Sequence, residues 1–261
     1  MRNSIFIVMI AVLAGVVTII SQSGATYSQT DHKDSLADNF TPHKIVEKRS
    51  LVEKLYKEVG LEDKLQYDAF EKAMVGYEQL NPKNKNIISI IDFTLPSTEK
   101  RLYVIDIKNK KLLYHTIVSH GRNSGEKYAT SFSNRHGSHQ SSLGFYITEN
   151  TYQGGNGYSL VLNGLEKGIN DQAKPRAVVI HGADYCSEAV IKSTGRLGRS
   201  YGCPALPREL AKPIINTIKN GTMLFIYAQD QDYMAQSKIL KQSQSLLAQH
   251  IDDADSSSFT Y

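Results

Sequence analysis

The feature that most limits what this chain can fold into is a series of short apolar segments, rich in β-branched residues, that begins after Pro82. Segments of this kind, bounded by Gly, Pro, Asn and Ser, are typical of β-strands. They cover residues 86–94, 101–108, 111–119, 144–148, 158–162, 177–181 and 222–228. Short strands in this number, with few helices between them, predict a mainly β fold, either a β-sandwich or a partly open barrel.

Three other stretches carry apolar residues at helical spacing. Two precede the strands, at 52–59 and 65–80, and the third covers 208–220. In the third, Pro207 suits the first turn, Gly221 suits the position after the last turn, and Pro213 indicates a kink or a late start. The broad apolar face of the second helix predicts that it packs against the β-rich domain. Between two of the strands, Asn109-Lys110 is a candidate hairpin turn.

The N-terminal segment predicts export. Arg2 precedes an uncharged run of sixteen residues, 5–20, and small residues follow at 23–25. This pattern is typical of a cleaved signal peptide, because a membrane-spanning helix needs ~20 apolar residues. The alternative is an uncleaved anchor, the one case in which the protein contacts the membrane. Either outcome places the rest of the chain in the periplasm or cell envelope.

The expected organisation follows from these patterns and from the polar flanks. It comprises a signal peptide at 1–25, a flexible linker at 26–43, a helical extension at 44–81, a catalytic domain at 82–228 and a polar tail at 229–261. The composition is ordinary for a globular protein, with 41% hydrophobic and 21% charged residues. A net charge of +4 is too small to indicate a nucleic-acid partner.

The residues suited to catalysis lie in two segments of the sequence, around His181 and around Cys203. His181 follows the apolar run 178–180, where the end of a rigid strand would hold the imidazole in place. Cys203 stands among Gly198, Ser200 and Gly202, just upstream of the third predicted helix. A helix N-terminus and a nearby imidazole both favour the thiolate, so Cys203 is the candidate nucleophile and His181 its acid–base partner.

The turn before Cys203 also suggests how an oxyanion would be held. The backbone amides of Gly202 and Cys203, with Tyr201 beside them, are candidate donors. The group that orients His181 is either a main-chain carbonyl or Ser200, and the sequence leaves both open. For either Cys203 or His181 alone, the competing interpretation is a buried structural residue.

The remaining cysteine and the other histidines have simpler interpretations. A disulfide between Cys186 and Cys203 is allowed in an exported protein, but it would consume the nucleophile. Cys186 is therefore expected to pack under the helix that follows His181. His120, His136 and His139 lie in Gly- and Ser-rich loops, and Cys203 has no second cysteine at ligand spacing, so no metal site is predicted.

These residues resemble the L,D-transpeptidase catalytic-domain family, the cysteine acyltransferases of bacterial cell walls, whose motif is His-Gly followed by Ser-x-Gly-Cys. Here the matching positions are His181-Gly182 and Ser200-Tyr201-Gly202-Cys203, and Pro-Ala after the cysteine is typical of one branch. Further similarity lies at 118–122, 137–146, 151–154, 162–166, 168–171 and 181–185. The resemblance covers roughly residues 65–228.

The resemblance implies a β-sandwich class of fold and, as partners, the stem peptides of peptidoglycan. It places Ser141 and Ser142 in the substrate cleft, with His139 and Gly182 as further substrate-binding candidates. The wider family often carries an arginine two residues after the cysteine, where this chain has Ala205. Arg199 is the nearest candidate for that role.

The implied activity is that of a peptidoglycan L,D-transpeptidase. Cys203 would form a thioester with a stem tetrapeptide, release D-alanine and pass the acyl group to an amine acceptor. No cofactor is expected, because the thioester carries the energy of the donor amide. Two alternatives stay open: an L,D-carboxypeptidase or endopeptidase that uses water as acceptor, and an inactive cell-wall binding module.

Overall fold

The computed structural model describes residues 42–241 of the chain. The predicted signal peptide, linker residues 26–41 and tail residues 242–261 lie outside the described residues. The helices are α1 Pro42–Val59, α2 Tyr67–Leu80, α3 Glu188–Thr194, α4 Arg208–Ile218 and α5 Gln231–Gln236. The strands are β1 Ile87–Asp92, β2 Leu102–Asp106, β3 Lys111–Thr116, β4 Gly144–Gly154, β5 Gly157–Gly164, β6 Val179–Gly182, β7 Ala205–Leu206 and β8 Met223–Tyr227.

The eight strands form a single sheet in the order β3-β2-β1-β8-β4-β5-β6-β7. Neighbouring strands are antiparallel except for the pairs β1–β8 and β6–β7, which are parallel. The chain beyond β3 returns to the opposite edge, where Ser119 pairs with Ala205 of β7. The two edges of the sheet therefore approach each other. The predicted mainly β fold is confirmed, and its architecture is one curled, partly open sheet.

The predicted hairpin at Asn109-Lys110 is also confirmed. It joins β2 to β3, with Asp106 opposite Lys111. The side chain of Asp106 accepts hydrogen bonds from the backbone and the side-chain nitrogens of Asn109, at 2.8 Å each. A short polar side chain that bonds back to the turn in this way stabilises it.

Helix α2 packs against the sheet, as its apolar face predicts. Phe70, Ala73 and Met74 are buried in the same core as the strands. Tyr227 of β8 donates a hydrogen bond to Asp68 at the start of the helix. One hydrophobic core therefore extends across residue 82, where the sequence suggests a division between the helical extension and the catalytic domain.

Helix α4 covers β6, the strand that carries His181. It buries Ala211, Ile214, Ile215 and Ile218. The expectation of a late start at Pro213 is wrong, because the helix begins at Arg208 and continues through the proline. A proline in the first two turns removes a single backbone hydrogen bond, and the buried apolar face outweighs that loss. After Ile218, both Asn220 and Gly221 have positive φ angles.

The chain after β8 is anchored to the core through a buried carboxylate. Tyr233 of α5 and Ser237 donate hydrogen bonds to Glu166, which also accepts from the Phe145 amide. The first part of the predicted polar tail is thus packed against the sheet. Within residues 42–241, none of the helices has the length and apolar character needed to cross a membrane.

Candidate active site

The pairing of β6 with β7 brings the two predicted catalytic residues to the same edge of the sheet. The strands are parallel, with His181 of β6 opposite Ala205 of β7. Cys203 precedes β7 by two residues and lies beside Val179 of β6, whose amide donates a hydrogen bond to Cys203 Sγ at 3.4 Å. The apolar run before His181 therefore has a second role, since its backbone contacts the Cys203 side chain.

The Cys203 thiol is free and partly exposed. Its Sγ donates to the Ala177 carbonyl at 3.7 Å. Burial raises the pKa of this thiol above its usual value, while the Val179 amide and the Arg176 charge act in the opposite direction. The expectation of a thiolate stabilised by a helix N-terminus is therefore wrong for this structure. Strand β7 and Pro207 separate Cys203 from the first residue of α4.

His181 is buried, with 4% of its surface exposed. Desolvation lowers the pKa of its imidazole, and the nearby charge of Arg208 lowers it further. Nδ1 lies 3.1 Å from the carbonyl oxygen of Gly182. Because a carbonyl oxygen only accepts, Nδ1 carries the hydrogen and Nε2 keeps the basic lone pair. His181 is therefore neutral near pH 7.

Two groups were candidates to orient His181, a main-chain carbonyl and Ser200. In the structure, the group that contacts its imidazole is the main-chain carbonyl of Gly182. The Ser200 hydroxyl donates to Cys203 O at 2.6 Å and accepts from Gly202 N at 3.0 Å. Within the described part of the chain, no hydrogen bond joins His181 to Ser200 or to Cys203. Ser200 thus shapes the turn that presents the cysteine, and Cys203 and His181 belong to neighbouring backbone segments with no hydrogen bond between their side chains.

The turn at 200–203 is packed tightly against the loop that precedes β4. Gly202 has a φ of +122°, and a Cβ there would lie 2.8 Å from the carbonyl oxygen of Gln140. The Ser141 hydroxyl donates to Gly202 O at 3.2 Å and accepts from Gly121 N at 3.0 Å. Only glycine fits this position. The Gly202 amide, one of the predicted oxyanion donors, is occupied by Ser200.

A buried arginine, Arg101, stabilises the segment around His120, which contacts the turn at 200–203. Arg101 Nη2 donates to His120 Nδ1 at 2.8 Å, and His120 Nε2 lies 3.2 Å from Gly125 O. Burial, with the Arg101 charge, lowers the pKa of His120 to about 4, so its imidazole is neutral. His120 O in turn accepts from Ser200 N at 3.0 Å. His120 therefore has a structural role beside the catalytic turn.

The predicted substrate-binding residues separate into buried and exposed groups. Ser141, Ser142 and Gly182 are buried, and both serine hydroxyls are bonded within the protein. His139 contacts Tyr201, which is 67% exposed, with the two ring centroids 4.5 Å apart and the rings tilted by 44°. Unlike the three buried residues, His139 is partly exposed and lies against an exposed tyrosine two residues before Cys203.

Arg199 is bound away from the nucleophile. Its Nη1 donates to Arg122 O and Gly125 O at 3.0 Å each, and to Glu126 Oε1 at 2.7 Å. These contacts attach it to the loop after His120. They do not bring its charge to Cys203.

Arg176 is the cation that acts on the Cys203 thiol in this structure, and the sequence did not predict this role. Arg176 comes two residues before the apolar run 178–180. Its guanidinium is half-buried and donates to Ser133 O, Ser142 Oγ, Ser138 Oγ and Gln140 O. A basic residue just before a buried strand was the available signal, but only the β6–β7 pairing shows that it lies beside the cysteine.

The match to known families agrees with this arrangement. Residues 61–227 match the L,D-transpeptidase catalytic domain. The chain belongs to this family. Members act on the stem peptides of peptidoglycan, in the cell wall. The matched L,D-transpeptidase region includes all of α2 and β1–β8 and therefore extends N-terminal to residue 82.

Several solved structures, among them L,D-transpeptidases, are similar to this chain at low identity. An L,D-transpeptidase from Mycobacterium smegmatis is 13% identical over 55% of this chain and 59% of its own, with a TM-score of 0.34. One from Mycobacterium tuberculosis is 14% identical over 56% and 58%, with a TM-score of 0.31. The helical cell shape determining protein of Campylobacter jejuni is 12% identical over 66% and 58%, with a TM-score of 0.39.

This chain covers less than two thirds of the length of each of those structures. No curated protein matches it. Membership of the L,D-transpeptidase family therefore depends on the match over residues 61–227. That match identifies the family and not the specific reaction of this protein.

Proposed function

We propose that this protein is an exported peptidoglycan L,D-transpeptidase in which Cys203 is the nucleophile and His181 the general base and acid. The observation that carries the proposal is the placement of Cys203, a free and partly exposed cysteine, beside β6, the strand that carries His181. Covalent acyl transfer requires a nucleophile and a base within reach of each other, and the β6–β7 pairing places the two residues on adjacent backbone segments.

In the first half-reaction, Cys203 Sγ attacks the carbonyl carbon of the amide between residues three and four of a stem tetrapeptide. His181 Nε2 takes the thiol proton as the carbon–sulfur bond forms. The tetrahedral intermediate then collapses, the carbon–nitrogen bond breaks, and His181 returns the proton to the leaving nitrogen. D-alanine departs, and the tripeptide acyl group remains on Cys203 as a thioester.

In the second half-reaction, the amine of an acceptor stem attacks the thioester carbonyl. His181 takes a proton from this amine, the carbon–sulfur bond breaks, and the proton returns to Cys203. The products are a new amide and the original thiol. Every proton and electron pair is accounted for without a cofactor, so none is proposed.

The pKa shifts of Cys203 and His181 disfavour a resting thiolate–imidazolium ion pair. They favour a neutral pair, in which the thiol proton moves to the imidazole during the attack. Burial raises the pKa of Cys203 and lowers that of His181, so the neutral pair is the resting form. Because Ser200 already holds the Gly202 amide, the amides of Tyr201 and Cys203 are the proposed oxyanion donors. Removal of one such donor costs about 10²–10³ in kcat in other acyl-transfer enzymes.

The test is incubation of the purified protein with a disaccharide-tetrapeptide, followed by mass spectrometry. A transpeptidase gives dimers with 3→3 cross-links and an acyl adduct on the Cys203 peptide. Cys203→Ala should abolish both and remain folded, whereas Cys186→Ser is the matched control and should keep both. Tripeptide without dimers would identify a hydrolase, and full activity of Cys203→Ala would exclude the covalent mechanism.

Export is part of the same proposal and rests on the N-terminal pattern of residues 1–25. Cleavage after the small residues at 23–25 would give a mature protein that begins near Thr26. N-terminal sequencing of the envelope-associated protein checks this. An intact Met1 in the membrane fraction would instead support the anchor, and a cytoplasmic pool would contradict both.

A further inference from the structure

Arg176 makes an unusually complete set of contacts with the loop that precedes β4. Nη1 donates to Ser133 O and Ser142 Oγ, both at 2.7 Å, and Nη2 donates to Gln140 O at 2.6 Å and Ser138 Oγ at 3.2 Å. Each terminal nitrogen of a guanidinium carries two hydrogens, so these four bonds use all of them. Arg176 therefore holds the 133–142 loop in one place and has no terminal N–H left for a ligand.

The same guanidinium lies against the catalytic turn. A Cβ on Gly202 would be 3.3 Å from Arg176 Nη2, so the charged group is in contact with the residue before Cys203. The backbone directly after Arg176 also reaches the nucleophile, because Cys203 Sγ contacts Ala177 O and Val179 N. Arg176 is thus coupled to Cys203 both through space and through the backbone that leads from Arg176 into β6.

This cation lacks a compensating negative charge. Arg199 is paired with Glu126, and Arg208 is paired with Asp184. All four acceptors of Arg176 are uncharged, and within the part of the chain that the structure describes it forms no ion pair with a carboxylate. A half-buried positive charge without a partner favours negative charge nearby.

We propose that Arg176 is a positioning residue that supplies a fixed positive charge for the negative charge that develops at Cys203 during acyl transfer. The proposal rests on the function proposed above, because that function identifies Cys203 as the reacting atom. The attacking thiolate and the oxyanion both need a stabilising charge that does not move, and the four bonds to the loop hold the guanidinium still. The Arg176 charge lowers the pKa of the Cys203 thiol, against the effect of burial.

The test measures the pH dependence of iodoacetamide alkylation at Cys203, with peptide mapping to separate it from Cys186. Arg176→Gln removes the charge and should move the midpoint upward by about one pH unit. Arg176→Lys keeps the charge and should move it by less than half as much. Arg199→Gln is the matched control, since its guanidinium is bound to the 122–126 loop, and it should leave the midpoint unchanged.

A purely structural role would lower the melting temperature without moving the midpoint. The proposal is overturned if Arg176→Gln and Arg199→Gln have the same midpoint, or if Arg176→Lys shifts it as far as Arg176→Gln. Should Arg176→Gln fail to fold, Ser138→Asp decides, because it places a carboxylate beside Nη2 and should also raise the midpoint. No peptidoglycan is used, so the result is independent of whether the transpeptidase assay succeeds.

Discussion

At the residue scale, the chemistry of Cys203 depends on opposing influences on one sulfur atom. Burial favours the neutral thiol, whereas the Val179 amide and the Arg176 guanidinium favour the thiolate. Desolvation and the nearby Arg208 charge lower the pKa of His181 and favour its neutral form, whereas its hydrogen bond to Gly182 O acts in the opposite direction. In the proposed mechanism, the proton of a neutral thiol moves to a neutral imidazole as the new bond forms, so we expect His181 Nε2 to be needed in the transition state.

The two cysteines should therefore differ in alkylation, for reasons of both exposure and pKa. Cys186 has no exposed surface, and burial raises the pKa of its thiol to about 11. Cys203 is partly exposed. An ordinary cysteine thiol has a pKa of about 8.5, and burial raises the pKa of Cys203 above the ordinary value. Since only the thiolate reacts, Cys203 labelling should rise with pH to a midpoint above 8.5, with Cys186 unlabelled until the protein unfolds.

Brief iodoacetamide treatment between pH 7 and pH 11, followed by peptide mapping, measures both rates. A midpoint for Cys203 below that of a free thiol would show that the resting enzyme holds a thiolate–imidazolium pair. Faster labelling of Cys186 would contradict the assignment of the nucleophile. The unfolded protein in denaturant serves as the reference for each thiol.

The sequence allowed Cys203 and His181 to be singled out as the candidate reacting pair, because the cues are local. An apolar run that ends in His-Gly and a glycine-rich turn around a cysteine are both visible within a few residues. The role of Arg176 was not visible, since it depends on contacts with residues 133–142 and 202 that are distant in sequence. The engaged hydroxyls of Ser141 and Ser142 were missed for the same reason.

At the scale of elements, the contact between α2 and the sheet is close enough to depend on a glycine. A Cβ on Gly76 would lie 2.0 Å from Phe145 Cε1. Phe145 is fully buried and stacks on Phe225 at 4.2 Å, so it cannot move aside. Gly76→Ala should lower the free energy of unfolding by about 1–3 kcal/mol, because the clash outweighs the usual gain of about 1 kcal/mol for alanine in a helix.

Denaturant unfolding measures this difference, and Gly155→Ala is the matched control. Gly155 lies in the turn between β4 and β5, and a Cβ there has no heavy atom within 4 Å. Its replacement should change the free energy of unfolding by less than about 0.5 kcal/mol. A stabilising Gly76→Ala would mean that α2 packs less closely on β4 than the structure shows.

The attachment of α5 should depend on pH through Glu166. Burial raises the pKa of this carboxyl above its ordinary value. The folded state therefore binds a proton more tightly than the unfolded state, and stability falls as pH rises from about 4.3 through the folded pKa. Glu166→Gln removes this titration; its carbonyl oxygen can still accept from the Phe145 amide, and its amide nitrogen can donate to the Ser237 hydroxyl, which reverses the direction of that bond.

Relative to wild type, Glu166→Gln should become more stable as the pH rises from 4 to 7. Chemical unfolding at several pH values gives the difference directly. A difference that stays constant over this range would mean that Glu166 titrates normally. Asp106→Asn is the control, because its carboxylate is solvent-exposed in the β2–β3 turn and hydrogen bonding holds its pKa below the usual range.

The individual strands could be predicted, whereas their order in the sheet could not. Alternation and β-branched composition mark each strand locally. The position of β8 between β1 and β4, with Ile88 opposite Met223, depends on pairing between the two ends of the domain. Such long-range register is set by packing of the completed core, and no single segment carries it.

At the scale of the whole molecule, helices and sheet share one core from the end of α1 to the chain beyond α5. Tyr56 near the C-terminal end of α1, Phe70 of α2, Phe225 of β8 and Leu240 belong to the same buried cluster. Polar contacts cross the same boundaries, since Tyr103 of β2 donates to Lys64 O. The active-site strands β6 and β7 are attached at one edge of this sheet, so their geometry depends on the stability of the whole unit.

The last prediction follows from that shared core and concerns truncation. A variant that begins at Pro42 retains every element described here and should unfold in one cooperative transition. A variant that begins at Pro82 loses the buried side chains of Tyr56, Leu61, Leu65, Phe70 and Met74. At ~1.5–3 kcal/mol each, these contribute about 8–15 kcal/mol. That sum is comparable to the entire stability of a typical domain, about 5–15 kcal/mol.

The shorter variant should therefore be insoluble, or should bind a hydrophobic dye and lose its near-ultraviolet circular dichroism. It should also lose the slow, pH-dependent alkylation of Cys203, because the β6–β7 pairing that buries the thiol would no longer be held. Thermal unfolding of the two variants side by side is the measurement. A sharp transition for the Pro82 variant at the temperature of the longer one would show that α1 and α2 are an appendage, with the catalytic sheet stable without them.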